Sequence, residues 1–323
     1  MGSQATYRYG RSVTGRNLLI LLFLGAMFGA SFLYMRVAAP EVGPWVVAFV
    51  RVGLAAVVLA LVTRGRTLHL IAAEWKALLF LGAVNTALPF GMYAFAETTI
   101  SASLAAILNA LAPMAMAVAA ALWLAQPLTG RKLAGIALGV AGVATVVGLG
   151  PLTLDGATLV AIGACLLAVI GYAIGFTYAR RRLPHLDPLT ISLGQLTGAG
   201  LVLAPGALLT RPDVAPSPEA LAAMSALAVF STALAWPLLF RLVAAIGPTA
   251  SSTVTFLAPA FGIGWGALVL GEPLEPSLLI GAALILTSIT LVTGLRPLAW
   301  ARPFVDTLWT TVRRTPANAE LGG

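Results

Sequence analysis

The sequence predicts an all-α integral membrane protein. Ten transmembrane helices form two inverted five-helix repeats around a central cavity, with both termini in the cytoplasm. Three observations carry that expectation. Hydrophobic residues make up 59% of the 323 residues and charged ones only 9%, with a mean hydropathy of +0.96. A soluble domain carries about 25% charge. Apolar runs recur at the length of about 20 residues that a bilayer core demands. The second half of the chain also echoes the first at an offset near 146 positions.

The runs follow in order. Residues 1–16 are a short basic segment expected in the cytoplasm. The first span, 17–39, is too long for a signal peptide and is read as retained. Span 44–63 opens at Pro44 and carries Arg51; span 74–96 carries Asn85 and Pro89; span 101–124 carries Asn109 and Pro113. Span 131–149 completes a first repeat over 17–149. The second repeat, 155–295, holds 155–179, 188–209, 219–243 with Pro237, 249–270 with Pro259 and Trp265, and 276–295. Beyond it, 296–323 forms a tail in which Trp300, Phe304 and Leu308 recur every four residues. That spacing suits a cytoplasmic helix lying along the interface.

Charge orients the bundle. With both termini inside, 16 of the 19 lysines and arginines fall in inward-facing segments. Arg36 and Arg211 face outward, and Arg51 lies within a span. This is a strong positive-inside pattern, and a miscounted helix would scramble it. The net charge of +8 therefore reflects basic loops between spans and gives no nucleic-acid-binding face.

The repeat is readable residue by residue. Offset 146 pairs Pro113 with Pro259, Pro127 with Pro273, Gly135 with Gly281 and Gly148 with Gly294. Segments 111–148 and 257–294 share 14 identities in 38 ungapped pairs. The same offset pairs Gly25 and Gly29 with Gly171 and Gly175, both small-xxx-small packing signals. Offset 148 pairs Pro89 with Pro237. Five spans per copy is an odd number, so the copies insert upside down relative to each other. Inverted repeats with interrupted helices are a common plan for carriers that alternate access around one site.

Two segments carry a family resemblance: "SASLAAILNALAPMAMAVAAALWLAQPLTGRKLAGIALGVAGVATVVG" and "TASSTVTFLAPAFGIGWGALVLGEPLEPSLLIGAALILTSITLVTG". They resemble paired EamA domains of the drug/metabolite transporter superfamily, and "FVRVGLAAVVLAL" is similar to that family's arginine-bearing helix. The resemblance covers about residues 17–295 and is closest to amino-acid and metabolite exporters of the YddG type. It implies a cavity lined largely by spans 3, 4, 8 and 9. One departure is Gln126 in "LAQPL", where the second half has Glu272 in "LGEPL".

A helix-interior proline removes one hydrogen bond and frees the carbonyl four residues earlier. In lipid, such a group must be re-satisfied or line a wet cavity. Pro89, Pro113, Pro237 and Pro259 free the carbonyls of Asn85, Asn109, Ala233 and Thr255. They either shape a substrate site and let half-helices bend during gating, or serve packing alone. Asn85 and Asn109 either bind a substrate's ammonium or carboxylate or bond a neighbouring helix. Phe90, Tyr93, Trp236 and Trp265 either stack on an apolar or aromatic substrate or pack. Arg51 lies well inside its span with no acid at its depth, Glu41 and Glu97 being near the outer ends. It either gathers freed carbonyls or offers charge to a carboxylate. Gln195 fills the matching place in the second half.

Other chemistries are excluded or disfavoured. The single cysteine, Cys165, rules out a disulfide framework, and no zinc-type Cys/His cluster or HExxH occurs. GxxxxGK[ST] is absent, so no cofactor, metal or nucleotide is expected. Asp155 and Asp187 are loop residues without a catalytic partner, so the chain does not read as an enzyme. With no carboxylate or histidine near the midplane, downhill facilitated movement is expected over proton coupling. The reading is export of small metabolites by alternating access. Amino acids lead, large apolar or aromatic ones first, across a bacterial inner membrane. The expected partners are the small-molecule substrate and the bilayer, with no nucleic acid, and a monomer is the expected state. The alternatives are a multidrug or lipophilic-cation exporter, or a nucleotide-sugar or sugar-phosphate exchanger. The last would need several cavity Lys or Arg residues, whereas lysine occurs only at 76 and 132, in loops.

Overall fold

The computed structural model describes residues 15–124, 127–149, 155–246 and 254–293. All regular structure among them is helical: α1 (Gly15–Val42), α2 (Pro44–Thr63), α3 (Leu68–Ala73), α4 (Trp75–Gly82), α5 (Leu88–Ala96), α6 (Ala102–Asn109) and α7 (Ala112–Leu124). Then come α8 (Gly130–Leu149), α9 (Gly156–Arg182), α10 (Pro188–Leu209), α11 (Pro218–Ala228), α12 (Ala235–Ile246), α13 (Val254–Leu270) and α14 (Pro276–Thr293). Two π-helical turns, π1 (Ala83–Ala87) and π2 (Val229–Leu234), join α4 to α5 and α11 to α12. Gln126, the side chains of Pro237 and Thr255, and the tail helix expected over 298–314 lie outside what is described.

Among the described residues, seven helical segments are long and apolar enough to cross a membrane, and three shorter apolar helices lie at Pro218–Leu234, Leu257–Leu270 and Pro276–Val292. Many large apolar side chains point outward, among them Leu61, Leu122, Leu209 and Leu268. In water they would be a liability; against lipid tails they are solvated.

The helix ends show why connections are so short. Ser101, Asp155, Asp187 and Ser217 each cap a helix by accepting backbone N–H groups of its first turn. Pro188 and Pro218 follow two of these caps, where a missing N–H costs nothing. A short helix, α3, occupies a stretch read from sequence as plain loop. After α2 the chain reverses through Arg64 and Gly65, both in the left-handed region, with φ of 50° and 72°.

Glycines let the helices approach closely. A Cβ at Gly29 would lie 2.7 Å from the Ala258 carbonyl oxygen and the Gly262 nitrogen, so α1 packs backbone to backbone on α13. A Cβ at Gly171 would lie 2.7 Å from the Val84 carbonyl oxygen, and one at Gly175 would lie 2.3 Å from Asn85 Cβ. The two small-xxx-small signals thus seat α1 on α13 and α9 on π1 and α5. Helices α8 and α14 pair through Gly135, Gly139, Gly142 and Gly281 at one side of the bundle.

Candidate functional site

A cavity of about 420 Å³ opens between the helices. Its wall draws on α1, α2, π1, α5, the α6–α7 break, α9, α10, α12 and α13. It therefore lies between the two halves of the chain. The expectation of spans 3, 4, 8 and 9 captures part of that wall; α1, α2, α9 and α10 supply the rest.

The interrupted helices border it. Pro89 lies just past π1, after Leu88, and position 237 just past π2, after Ala235 and Trp236. A π-turn widens the helix by one residue and leaves backbone groups poorly paired, often at functional sites. Asn85 and Thr86 of π1 face the cavity. Pro113 sits where a helix is broken outright: α6 ends at Asn109, Ala110–Leu111 turn through short-range bonds, and α7 begins at Ala112. The Asn109 carbonyl would have accepted from residue 113, whose N–H proline lacks. Pro259, by contrast, lies inside a continuous α13.

Of the residues singled out from sequence, Arg51, Asn85, Phe90, Tyr93, Asn109, Pro113 and Trp236 all line the cavity. Trp265 does not. Its indole Nε1 donates to the Ala26 carbonyl at 3.1 Å, and its ring lies near Phe261, with centroids 6.4 Å apart. Pro89 and Pro259 are not among the lining residues either.

Arg51 is buried, at 6% exposure. Its Nε donates to Thr232 Oγ1 at 3.0 Å, and its guanidinium carbon stands 3.6 Å from the centroid of the Phe90 ring. Nη1 reaches the Met35 sulfur at 3.8 Å, and no backbone carbonyl is among its partners. Among the described residues the wall contains no acid. Asn85 Nδ2 donates to Gln195 Oε1 at 3.0 Å, so the two matched half-repeat positions, 51 and 195, both reach the cavity. Tyr93 anchors an aromatic arc: it meets Phe32 edge-on at 5.6 Å and Tyr172 at 6.4 Å, and Phe176 lies 6.3 Å beyond Tyr172. Sequence reasoning missed Phe28, Phe32, Tyr172 and Phe176, because an aromatic in a uniformly apolar helix gives no sign of which side faces inward.

Two carboxylates stand outside the cavity. Glu272 follows α13 and caps α6, accepting from the backbone N–H groups of Ala102 at 2.8 Å and Ser103 at 3.0 Å, and from the Ser103 hydroxyl. This ties the second half to the first. Glu97 follows α5 and is fully buried; neither carboxyl oxygen accepts a hydrogen bond among the described residues. Its backbone carbonyl accepts from Arg36 Nη1. Burial holds its carboxyl well above the usual carboxylate range, and Glu272 adds to the effect against Arg36 and Arg51. Among the described residues no cluster of His, Cys, Asp or Glu is suited to hold a metal.

Comparison with known proteins agrees with this architecture. The profile of the EamA-like transporter family matches residues 16–148 and 159–294. An uncharacterized transporter, YvbV, of Bacillus subtilis (strain 168) is 29% identical over 282 residues, covering 86% of this chain and 91% of its own. Protein PecM of Dickeya dadantii (strain 3937) is 27% identical over 270 residues, covering 82% and 88%. One crystal structure superposes with a TM-score of 0.62 over 86% of this chain and 96% of its own, at 16% identity, a likeness of fold alone.

Proposed function

This chain belongs to the EamA-like transporter family, a membrane transporter of small molecules, and on that premise we propose that it exports amino acids or related metabolites, large apolar and aromatic ones first. In this reading ten spans form two inverted repeats with both termini in the cytoplasm of a bacterial cell, and the solute crosses the inner membrane by alternating access. Arg51, Asn85, Phe90, Tyr93, Asn109 and Trp236 touch the solute. Pro89, Pro113, Pro237 and Pro259 mark where half-helices bend, and Trp265 braces the helices that do so.

The observation that carries the proposal is the cavity itself. About 420 Å³ suits a small metabolite, and the wall is mostly aromatic and aliphatic with a few polar groups. It lies beside two π-turns in corresponding spans of the repeat and beside a helix break in the first half. A phosphorylated sugar is poorly served, since Arg51 is the one basic residue in the wall. Among the described residues no carboxylate or histidine lines the cavity, which favours downhill movement over proton exchange.

The test is counterflow in liposomes holding the purified protein, with radiolabelled phenylalanine, tyrosine, leucine and threonine and no ion gradient. Saturable exchange of the apolar and aromatic members is expected. Absence of saturable flux for every amino acid would overturn the substrate assignment.

A further inference from the structure

Among the described residues, the cavity wall carries one positive charge, Arg51, and no acid to balance it. Arg51 spends its Nε on Thr232 and lays its face on Phe90, but its Nη2 amino group donates to no described residue. An arginine in hydrocarbon is costly unless paired. Phe90 and Thr232 ease that cost without neutralising the charge. Among the described residues the one salt bridge is His185–Glu74, far in sequence from this site. Glu97, the acid whose charge acts on Arg51, is not among the described wall residues.

A second donor converges on the same cavity. Gln195 is 6% exposed, and its Oε1 is occupied by Asn85 Nδ2. With that bond made, Gln195 Nε2 is a donor without a partner among the described residues, and Asn85 Oδ1 is a buried acceptor without one. A guanidinium fork and an amide N–H₂, from matched positions of the two repeats, make a donor-only pair. Such a pair suits two carboxylate oxygens and repels a cation. For an ammonium group the described wall offers one unpartnered amide acceptor, Asn85 Oδ1, and no carboxylate.

We infer that Arg51 and Gln195 form an anion subsite that selects solutes bearing a carboxylate on an aromatic or branched apolar body, over amines and neutral analogues. An amino group on the solute is tolerated and not required. The inference rests on the transport reading of this cavity and narrows it. The substrate range extends from amino acids to carboxylic acids that lack the amine, such as arylalkanoates. Lipophilic cations are excluded. The aromatic arc of Tyr93, Tyr172 and Phe176 receives the body while the subsite holds the head.

Four probes share one phenyl body and differ in charge: 3-phenylpropanoate, L-phenylalanine, 3-phenylpropanamide and phenethylamine. Their affinities for the purified full chain at neutral pH are read from ligand-dependent thermal shifts. The two carboxylates are expected to bind at least about tenfold more tightly than the amide and the amine, as a charge-assisted hydrogen bond allows. Arg51→Gln is expected to weaken 3-phenylpropanoate about tenfold to a hundredfold while leaving the amide nearly unchanged. Arg51→Lys retains the ranking with smaller spacing. The wild-type ranking needs no variant and so stands even if Arg51→Gln fails to fold. Equal binding of the amide or amine with the carboxylates overturns the subsite and leaves the transport reading intact. If no probe binds and none shows saturable counterflow, the transport reading itself falls and the subsite with it.

Discussion

Single residues here are decided by what their nearest neighbours allow. Gly175 and Gly163 lie on the same helix, α9, yet have opposite constraints. A Cβ at 175 would overlap Asn85, whereas at 163 nothing lies within 4 Å. Gly175→Ala is therefore expected to destabilise by about 1–3 kcal/mol. Gly163→Ala should stabilise by about 0.5–1 kcal/mol. Melting of both variants in detergent checks the pair, and equal shifts would undo the packing argument. Glu97 calls for a pH argument. Its carboxyl interacts electrostatically with Arg36 of α1, Arg51 of α2, Tyr93 of α5, Cys165 of α9 and Glu272 beyond α13. Burial raises its folded pKa above the ordinary carboxylate value, so the folded state holds the proton longer than the unfolded chain. The stabilisation from that neutral carboxyl is complete below the ordinary value and is lost as pH rises toward the raised one. Thermal stability should fall as pH rises through and beyond the ordinary carboxylate range. Glu97→Gln should flatten that fall. A slope unchanged in the variant would assign it to other groups.

At the level of elements, the decisive features are interruptions, and they were unevenly legible. The apolar runs announced the spans because lipid leaves no alternative to a satisfied helical backbone. Pro113 announced a break, because the lost N–H is written in the residue type. The π-turns were not announced. A one-residue widening depends on how Asn85 meets Gly175 and Gln195 across helices, and no local pattern records that. Pro89 and Pro237 were only neighbouring hints. The site was legible where polarity stood out: Arg51, Asn85 and Asn109 are conspicuous in greasy helices, and all three line the cavity. Trp265 was grouped with Trp236 through proximity to a proline, yet its N–H is committed to α1. The α6–α7 break also makes a prediction. Pro113→Ala restores the missing donor and should lengthen α6 toward α7, with thermal stability held or raised. If the break serves gating, counterflow of the transported solute falls about tenfold while apparent affinity changes little. Unchanged flux would make it a packing feature.

The whole molecule depends on how the two halves face each other. Glu272 reaches from the second half to cap α6 in the first, and the cavity draws its wall from both. In the proposed reading, a site shared in this way opens to one side at a time because equivalent parts of the halves lie at opposite membrane faces. Arg66 and Asp213 test that requirement. Both are exposed, and they occupy corresponding loops, one after α2 and the other after α10. In an inverted pair, the loop at 66 faces the cytoplasm and the loop at 213 faces outward, as the charge distribution also demands. Cys165 is fully buried, so the native chain gives a low background for a membrane-impermeant maleimide. Arg66→Cys in intact cells should stay unlabelled and react only after the membrane is opened. Asp213→Cys should react in intact cells at once. Labelling of both from the same side would make the repeats parallel. The cavity would then lack the pseudo-symmetry that lets one set of bends exchange roles with the other.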